Sequence, residues 1–258
     1  MKLCDTHSHI FDEAFDDDRE AVVARFVEGG GERIILPAID SATHERLLQT
    51  LEQFPSVCRG AIGVHPTSLS ADNVAEELTA VRRYLDCGVE WSSIGEIGLD
   101  YYWSTDFVAE QKEALHAQIE LALERNLPVI IHTRNAWDDM TEIIEGYAGR
   151  GLRGVMHAFC GTLEQYHRIR RAGDFVFGIG GVVTYKNGGV AEVVAQMSLS
   201  DIVLETDAPY LTPVPFRGKR NEPSYVIHTA RRIADLLGCP IEQVCNTTYD
   251  NAARVFAL

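Results

Sequence analysis

Short apolar runs rich in Val and Ile recur along this chain, and the stretches between them carry helical spacing. That alternation restricts the fold more than any other feature. Strands are expected at 3–7, 33–39, 58–64, 91–97, 128–132, 153–157, 175–180 and 201–206. Arg19 to Glu28 places Val22, Val23, Phe26 and Val27 on one side of a helix, with Gly29 as its stop. Val108 to Arg125 spaces Leu115, Ile119 and Ala122 by three and four residues and ends before Asn126. Glu164 to Ala172 ends at Gly173, and Tyr225 to Leu237 ends at Gly238. The tail from Pro240 to Leu258 reads as one or two further helices. Strands alternating with helices imply a parallel sheet with right-handed crossovers. Eight repeats favour closure into a single (β/α)8 TIM barrel spanning residues 1–258. No GxGxxG opens a helix after the first strand, which argues against a dinucleotide-binding fold.

Composition adds bounds. With 46% hydrophobic and 24% charged residues, the chain is ordinary for a globular protein. No stretch approaches the roughly 20 apolar residues of a membrane span. Met1-Lys2-Leu3 leads straight into a candidate strand, with no secretion signal ahead of it. Six scattered cysteines form no CxxC and read as reduced thiols, so the expected compartment is the cytoplasm. The formal net charge is −15, carried unevenly. Residues 1–130 hold 10 Lys/Arg against 24 Asp/Glu, and residues 131–258 hold 13 against 14. No basic domain is present to attract nucleic acid at long range. The run Asp16-Asp17-Asp18 reads as a solvated helix start.

The chemistry lies where the apolar runs end. His7 and His9 end the first, Glu96 the fourth, His132 the fifth, His157 the sixth and Asp207 the eighth. Strand ends that converge at one face are how a parallel barrel builds a site. Alternate residues of an extended segment point the same way, so His7 and His9 can share one ion. Imidazoles and carboxylates suit zinc, manganese, cobalt or iron, and magnesium less well. Glu96, central in strand order, is the candidate bridge between two ions. His44, His116, His167 and His228 fall within helical patterns and read as surface or packing residues.

In this order the motifs resemble those of the TatD-family metal-dependent deoxyribonucleases, a branch of the amidohydrolase-type barrels. The resemblance runs nearly end to end. It is carried by Asp5-Thr6-His7-Ser8-His9, Gly63-Val64-His65-Pro66, Gly95-Glu96-Ile97-Gly98-Leu99-Asp100-Tyr101 and His132-Thr133-Arg134. It continues in His157-Ala158-Phe159-Cys160-Gly161, Glu205-Thr206-Asp207-Ala208-Pro209-Tyr210 and the segment Pro215 to Pro223. Cys160 departs from the Ser or Thr that family members often carry there. The resemblance implies two divalent ions (Mg, Mn or Zn). His7, His9, Glu96 and Asp207 would hold one, and Glu96, His132 and His157 the other. Two ions about 3.5–4 Å apart serve phosphoryl transfer by activating water and stabilising both reacting oxygens.

Further roles follow. Asp207 is the expected general base. His65 is expected outside the ligand set, against substrate phosphate or a leaving oxygen. Glu205 and Asp100 are expected to orient ligand histidines. Arg134 can grip phosphate in a bidentate pair. Arg217 and Arg220, after strand 8, occupy the region where many barrels bind phosphate. Tyr101, Tyr102 and Trp103 either stack unpaired bases or cover the core. The expected activity is hydrolysis of DNA phosphodiesters from the 3′ end, with a preference for single strands; no membrane and no obligate protein partner is expected, and a monomer is compatible with this. The alternative is hydrolysis of a carbonyl ester or amide, including an aminoacyl-tRNA ester, on the same site. A metal-bearing scaffold without turnover is the third reading, disfavoured by a full ligand set beside a base.

Overall fold

The computed structural model describes residues 1–186 and 188–258. Eight strands pair in chain order, every pair parallel. They are β1 Leu3–Asp5, β2 Gly31–Pro37, β3 Cys58–Ile62, β4 Ser93–Asp100, β5 Val129–Arg134, β6 Arg153–Met156, β7 Asp174–Ile179 and β8 Ile202–Leu204. Helices fill the intervals: α1 Arg19–Glu28, α2 His44–Gln53, α3 Val74–Leu85, α4 Val108–Arg125, α5 Trp137–Gly146, α6 Leu163–Ala172 and α7 Val190–Val194. After β8 come α8 Val226–Leu237 and α9 Ile241–Phe256, so the tail forms one helix beyond α8. The ring is joined between β8 and β1. There Thr6 N donates to Leu204 O at 3.0 Å and Asp207 N to His7 O at 2.9 Å. The result is a TIM barrel.

Burial follows the expected periodicities. Cys4, Ile35, Ala61, Ile130, Val155, Val176 and Val203 form an inner apolar layer with one residue from each of seven strands. Ala252, Val255 and Phe256 of α9 pack against it, so the last helix closes the end away from the strand carboxyl termini. The main core lies between strands and helices, as where Val22, Val23 and Phe26 of α1 are buried. His44 is fully buried, edge-on to Tyr84 at 4.6 Å, while His167 is exposed. Among the described residues, no helix is long and apolar enough to cross a membrane.

Two strand boundaries differ from the pattern-based expectation in ways that matter. β8 stops at Leu204, so Asp207 belongs to the following loop. β4 continues to Asp100, which leaves Glu96 inside the strand and not at its end. The β4–β5 ladder pairs Ile94 with Val129 and then Ile97 with Ile131. Three steps on one strand match two on the other, which is the geometry of a bulge. Bulges re-aim side chains beside active sites. A polar residue in an apolar run looks like a strand end when only hydrophobicity is read.

Beyond the bulge, β4 and β5 approach so closely that a Cβ on Gly98 would sit 1.9 Å from the His132 carbonyl oxygen. Gly98→Ala should therefore destabilise the fold by about 3 kcal/mol, the scale of overpacking in a rigid core. Urea unfolding checks this, and an unchanged midpoint would contradict the close approach.

Candidate metal centre

The strand carboxyl ends bring His7, His9, Glu96, His132, His157 and Asp207 together. Nε2 of His7 and Nε2 of His9 face each other at 3.1 Å. Glu96 Oε2 lies 3.0 Å from His7 Nε2, and Asp207 Oδ1 lies 3.6 Å from His9 Nε2 and 3.7 Å from His7 Nε2. On the other side, Glu96 Oε1 is 3.0 Å from His132 Nδ1 and 3.9 Å from His157 Nε2. Glu96 thus touches both groups from one carboxylate. His65 comes closer than the sequence suggested. Its Nε2 is 3.5 Å from Glu96 Oε1, and its ring lies 4.4 Å from that of His132.

The surroundings fix which nitrogen of each ring faces inward. His157 Nδ1 meets Glu205 Oε2 at 3.0 Å, and His132 Nε2 meets Asp100 Oδ2 at 2.9 Å. Each carboxylate takes the ring N–H and leaves the opposite lone pair aimed at Glu96. His65 is set the other way. Its Nδ1 accepts from Thr67 N at 3.2 Å, so a neutral ring carries its proton on Nε2. Inward, His65 presents a donor and not a lone pair. Glu205 also accepts from Ala158 N at 2.7 Å and holds that residue at φ 45°. Asp207 stands at φ 58°, a conformation that short polar residues tolerate.

Sequence reasoning passed over two supports. Asp5 accepts from Thr206 N at 2.8 Å and from His7 N at 3.3 Å, tying the start of the ligand loop to β8. Asn221 donates to the carbonyls of Thr206 at 2.8 Å and Tyr210 at 2.6 Å, bracing the loop that carries Asp207. Both lie inside quoted motifs, yet nothing in their spacing marks them as braces.

The electrostatics suit a cation. Burial works against the charge of Glu96, but His7, His65, His157 and His132 hold its carboxyl well below the usual range. Asp207 is likewise held down by His9, His157 and His7 against the effect of burial. The rings of His7 and His157 stack at 3.4 Å and cannot both be charged. Burial lowers His7 to about 4. Burial also opposes charge on His157, but Glu205 and Glu96 outweigh it and raise that ring to about 10. Facing imidazole nitrogens flanked by two carboxylates form a donor set that fits a divalent ion of the zinc or manganese type.

Above the centre opens a pocket of about 690 Å³, lined in part by His65, Trp103, Arg134, Phe159, Cys160 and Tyr210. The guanidinium of Arg134 lies 3.6 Å from the Tyr102 ring centre and 5.4 Å from that of Trp103. Tyr102 is 52% exposed, Trp103 71% and Tyr210 55%, so these rings do not cover a core. Tyr101 differs, because its hydroxyl donates to Asp139 at 2.7 Å. The two expected cations after β8 are elsewhere. Arg220 forms a bidentate pair with Asp18 at 2.7 Å and also donates to Ala14 O, so its donors are consumed in holding α1 to the loop. Arg217 is exposed and stacks 4.1 Å over Tyr185, outside the lining of this pocket.

Two tests address the centre. Glu205→Gln should weaken metal affinity 10- to 100-fold, roughly the range for an outer partner of a ligand histidine, with the fold intact. Calorimetric titration with Zn²⁺ or Mn²⁺ checks it, and unchanged affinity would remove Glu205 from the centre. With its pKa raised to about 10, His157 would hold a second proton in the ion-free centre, and an ion bound at its Nε2 would displace it. About one proton should be released, and affinity should rise with pH up to about 10. Binding that is independent of buffer ionisation enthalpy would refute this.

The comparisons agree with this geometry. A family model described as TatD related DNase matches residues 4–257. The metal-dependent hydrolase YabD of Bacillus subtilis (strain 168) is 38% identical over 257 residues, covering 99% of both chains. The 3′-5′ ssDNA/RNA exonuclease TatD of Pectobacterium carotovorum is 33% identical over 252 residues, covering 95% of both. The crystal structure of the TatD homologue YjjV from Escherichia coli superimposes with a TM-score of 0.91 at 28% identity, covering 99% of this chain and 98% of that one. With the barrel, the clustered histidines and carboxylates, and these likenesses together, the chain belongs to the TatD-related DNase family of metal-dependent hydrolases.

Proposed function

We propose that residues 1–258 form one catalytic domain that removes nucleotides from the 3′ end of single-stranded DNA. One observation carries the substrate: an exposed aromatic shelf, Tyr102 and Trp103, backed by Arg134, stands at the mouth of a pocket that leads to the buried carboxylate–imidazole centre. Among the described residues Arg134 has no carboxylate partner, so its donors are available to a phosphate. The curated relatives named as 3′-5′ ssDNA/RNA exonucleases support the same reading.

In this reading the centre would hold two divalent ions, one by His7, His9, Glu96 and Asp207 and the other by Glu96, His132 and His157. When bound, such ions supply an acidified water and positive charge for the phosphoryl oxygens. Asp207, kept ionised by its histidine neighbours, accepts the proton of the attacking water. The oxygen of that water bonds to phosphorus, the bond from phosphorus to the O3′ of the remaining strand breaks, and the proton taken by Asp207 is handed on to that O3′, which leaves as a hydroxyl. His65, with its proton on Nε2, donates to a phosphate oxygen, and Thr67 keeps the ring in that orientation. Arg134 steadies the phosphate from the shelf side, and the terminal base stacks on Trp103. The protein acts in the cytoplasm without an obligate protein partner.

Asp207→Asn should lose most turnover, by roughly a hundredfold or more for a general base, while metal content persists. Trp103→Ala should raise the KM for single strands about tenfold, since one base stack contributes about 1–3 kcal/mol. A 5′-labelled single strand and its duplex, followed on a sequencing gel with chelated and metal-refilled protein, read both effects and the direction. Full metal occupancy without cleavage of either strand would reject the reading in favour of ester or amide hydrolysis.

A further inference from the structure

We propose a second nucleic-acid contact: a cationic groove beside the metal pocket that holds the phosphate backbone of the strand upstream of the scissile bond. The inference rests on the exonuclease reading and extends it from one nucleotide to several.

The groove has a volume of about 780 Å³ and runs between α8 and the segment linking β7 to α7. Thr184, Tyr185 and Lys186 line one side, and Arg231 and Arg232 the other. Arg217 stacks on the lining residue Tyr185 at 4.1 Å. Two carboxylates, Glu192 and Asp235, also face the groove, against three cations that line it, Lys186, Arg231 and Arg232. His228 is lowered by burial and by Arg231, so it adds no charge at neutral pH.

Elsewhere Arg25, Arg125, Arg150, Arg168, Arg170 and Arg254 each sit on a carboxylate. Among the described residues, Lys186, Arg217, Arg231 and Arg232 have no carboxylate at ion-pair distance. Several other arginines, among them Arg82, Arg83, Arg153 and Arg171, also have no carboxylate at ion-pair distance among the described residues, but none of them lines this groove. Lys186, Arg231 and Arg232, with Arg217 on the lining Tyr185, outnumber Glu192 and Asp235 and make the groove locally electropositive.

Groove and pocket also share a wall. The turn Gly181–Thr184 places Val182 on the pocket side and Thr184 on the groove side. The strap after β8 does the same with Leu211 and Val214. Val214 N donates to Thr184 Oγ1 at 2.9 Å, and Tyr185 donates to Thr212 O at 2.8 Å, so turn and strap form one ridge. A strand whose 3′ end enters the pocket crosses this ridge and meets the cations. Backbone contacts of this kind bind without reading sequence.

The test uses the double variant Arg231→Ala/Arg232→Ala. Both residues lie on α8, where alanine favours the helix. Cleavage of a dinucleotide should be unchanged, while the KM for a 12-nucleotide single strand should rise about tenfold from two lost phosphate contacts. The salt dependence of log Kd for the 12-mer, read by fluorescence anisotropy, should become shallower by about 1.4. Arg231→Lys/Arg232→Lys should keep both values near those of the parent protein. Equal effects on dinucleotide and 12-mer, or an unchanged salt slope, would overturn the groove. If the parent protein binds the 12-mer with the expected salt slope yet cleaves no DNA, the exonuclease reading fails and the groove stands. If it does not bind the 12-mer, both fail.

Discussion

Glu96 makes the strongest single demand on this structure, because an ionised carboxylate at 3% exposure must be matched by positive charge. Uncompensated burial of an ion costs several kcal/mol even after relaxation. Here five imidazoles delivered by separate parts of the barrel surround it, and the charge is centred on His157, which Glu205 and Glu96 raise to about 10 against the effect of burial. His7 and His9 follow β1, His65 follows β3, His132 lies in β5 and His157 follows β6. They meet at one carboxylate only if the strand register holds around the ring. The seam between β8 and β1 is therefore part of the site. The Asp5 carboxylate sits on that seam, fully buried, and binds Thr206 on one side and the His7 amide on the other.

Much of this was legible because strand ends in a parallel barrel converge. Five apolar runs ending in ligand-type residues were enough to anticipate a common centre. Glu96 shows where that reasoning stops. A bulge has no signature in hydrophobic periodicity, so a residue inside a strand read as its end. His65 shows a different limit. Proximity alone would group it with the metal donors, and only the Thr67 amide on Nδ1 identifies its inward nitrogen as a donor of hydrogen. Asn221 has no pattern at all, since its role depends on two carbonyls brought near by the fold.

Charge was the least legible property. In the sequence, Arg217 and Arg220 after β8 read as phosphate contacts and the acidic run before α1 as a solvated helix start. In the structure Arg220 and Asp18, 202 residues apart, form a bidentate pair, and Asp16 engages Arg19 at 2.6 Å. Acids that sequence reasoning assigned to water hold the barrel's first helix in place. The same pairing removes Arg220 from the cations available to a substrate. Counting basic residues near a strand end overstates the field there unless their partners are known.

That distinction shapes which nucleic acids fit. The chain is acidic, with a formal net charge of −15, so its surface offers little long-range attraction to a rigid duplex. The cations placed for a strand entering the pocket are Arg134 at its mouth and those of the ridge-side groove. A narrow set of contacts suits a flexible strand that can turn through a few ångströms between one phosphate and the next. The aromatic shelf adds the second requirement, because a base can stack on Trp103 only after leaving its own partner. In the proposed function, selectivity for unpaired ends would arise from few free cations and one exposed shelf around a deep centre, with no base-reading hydrogen bonds required.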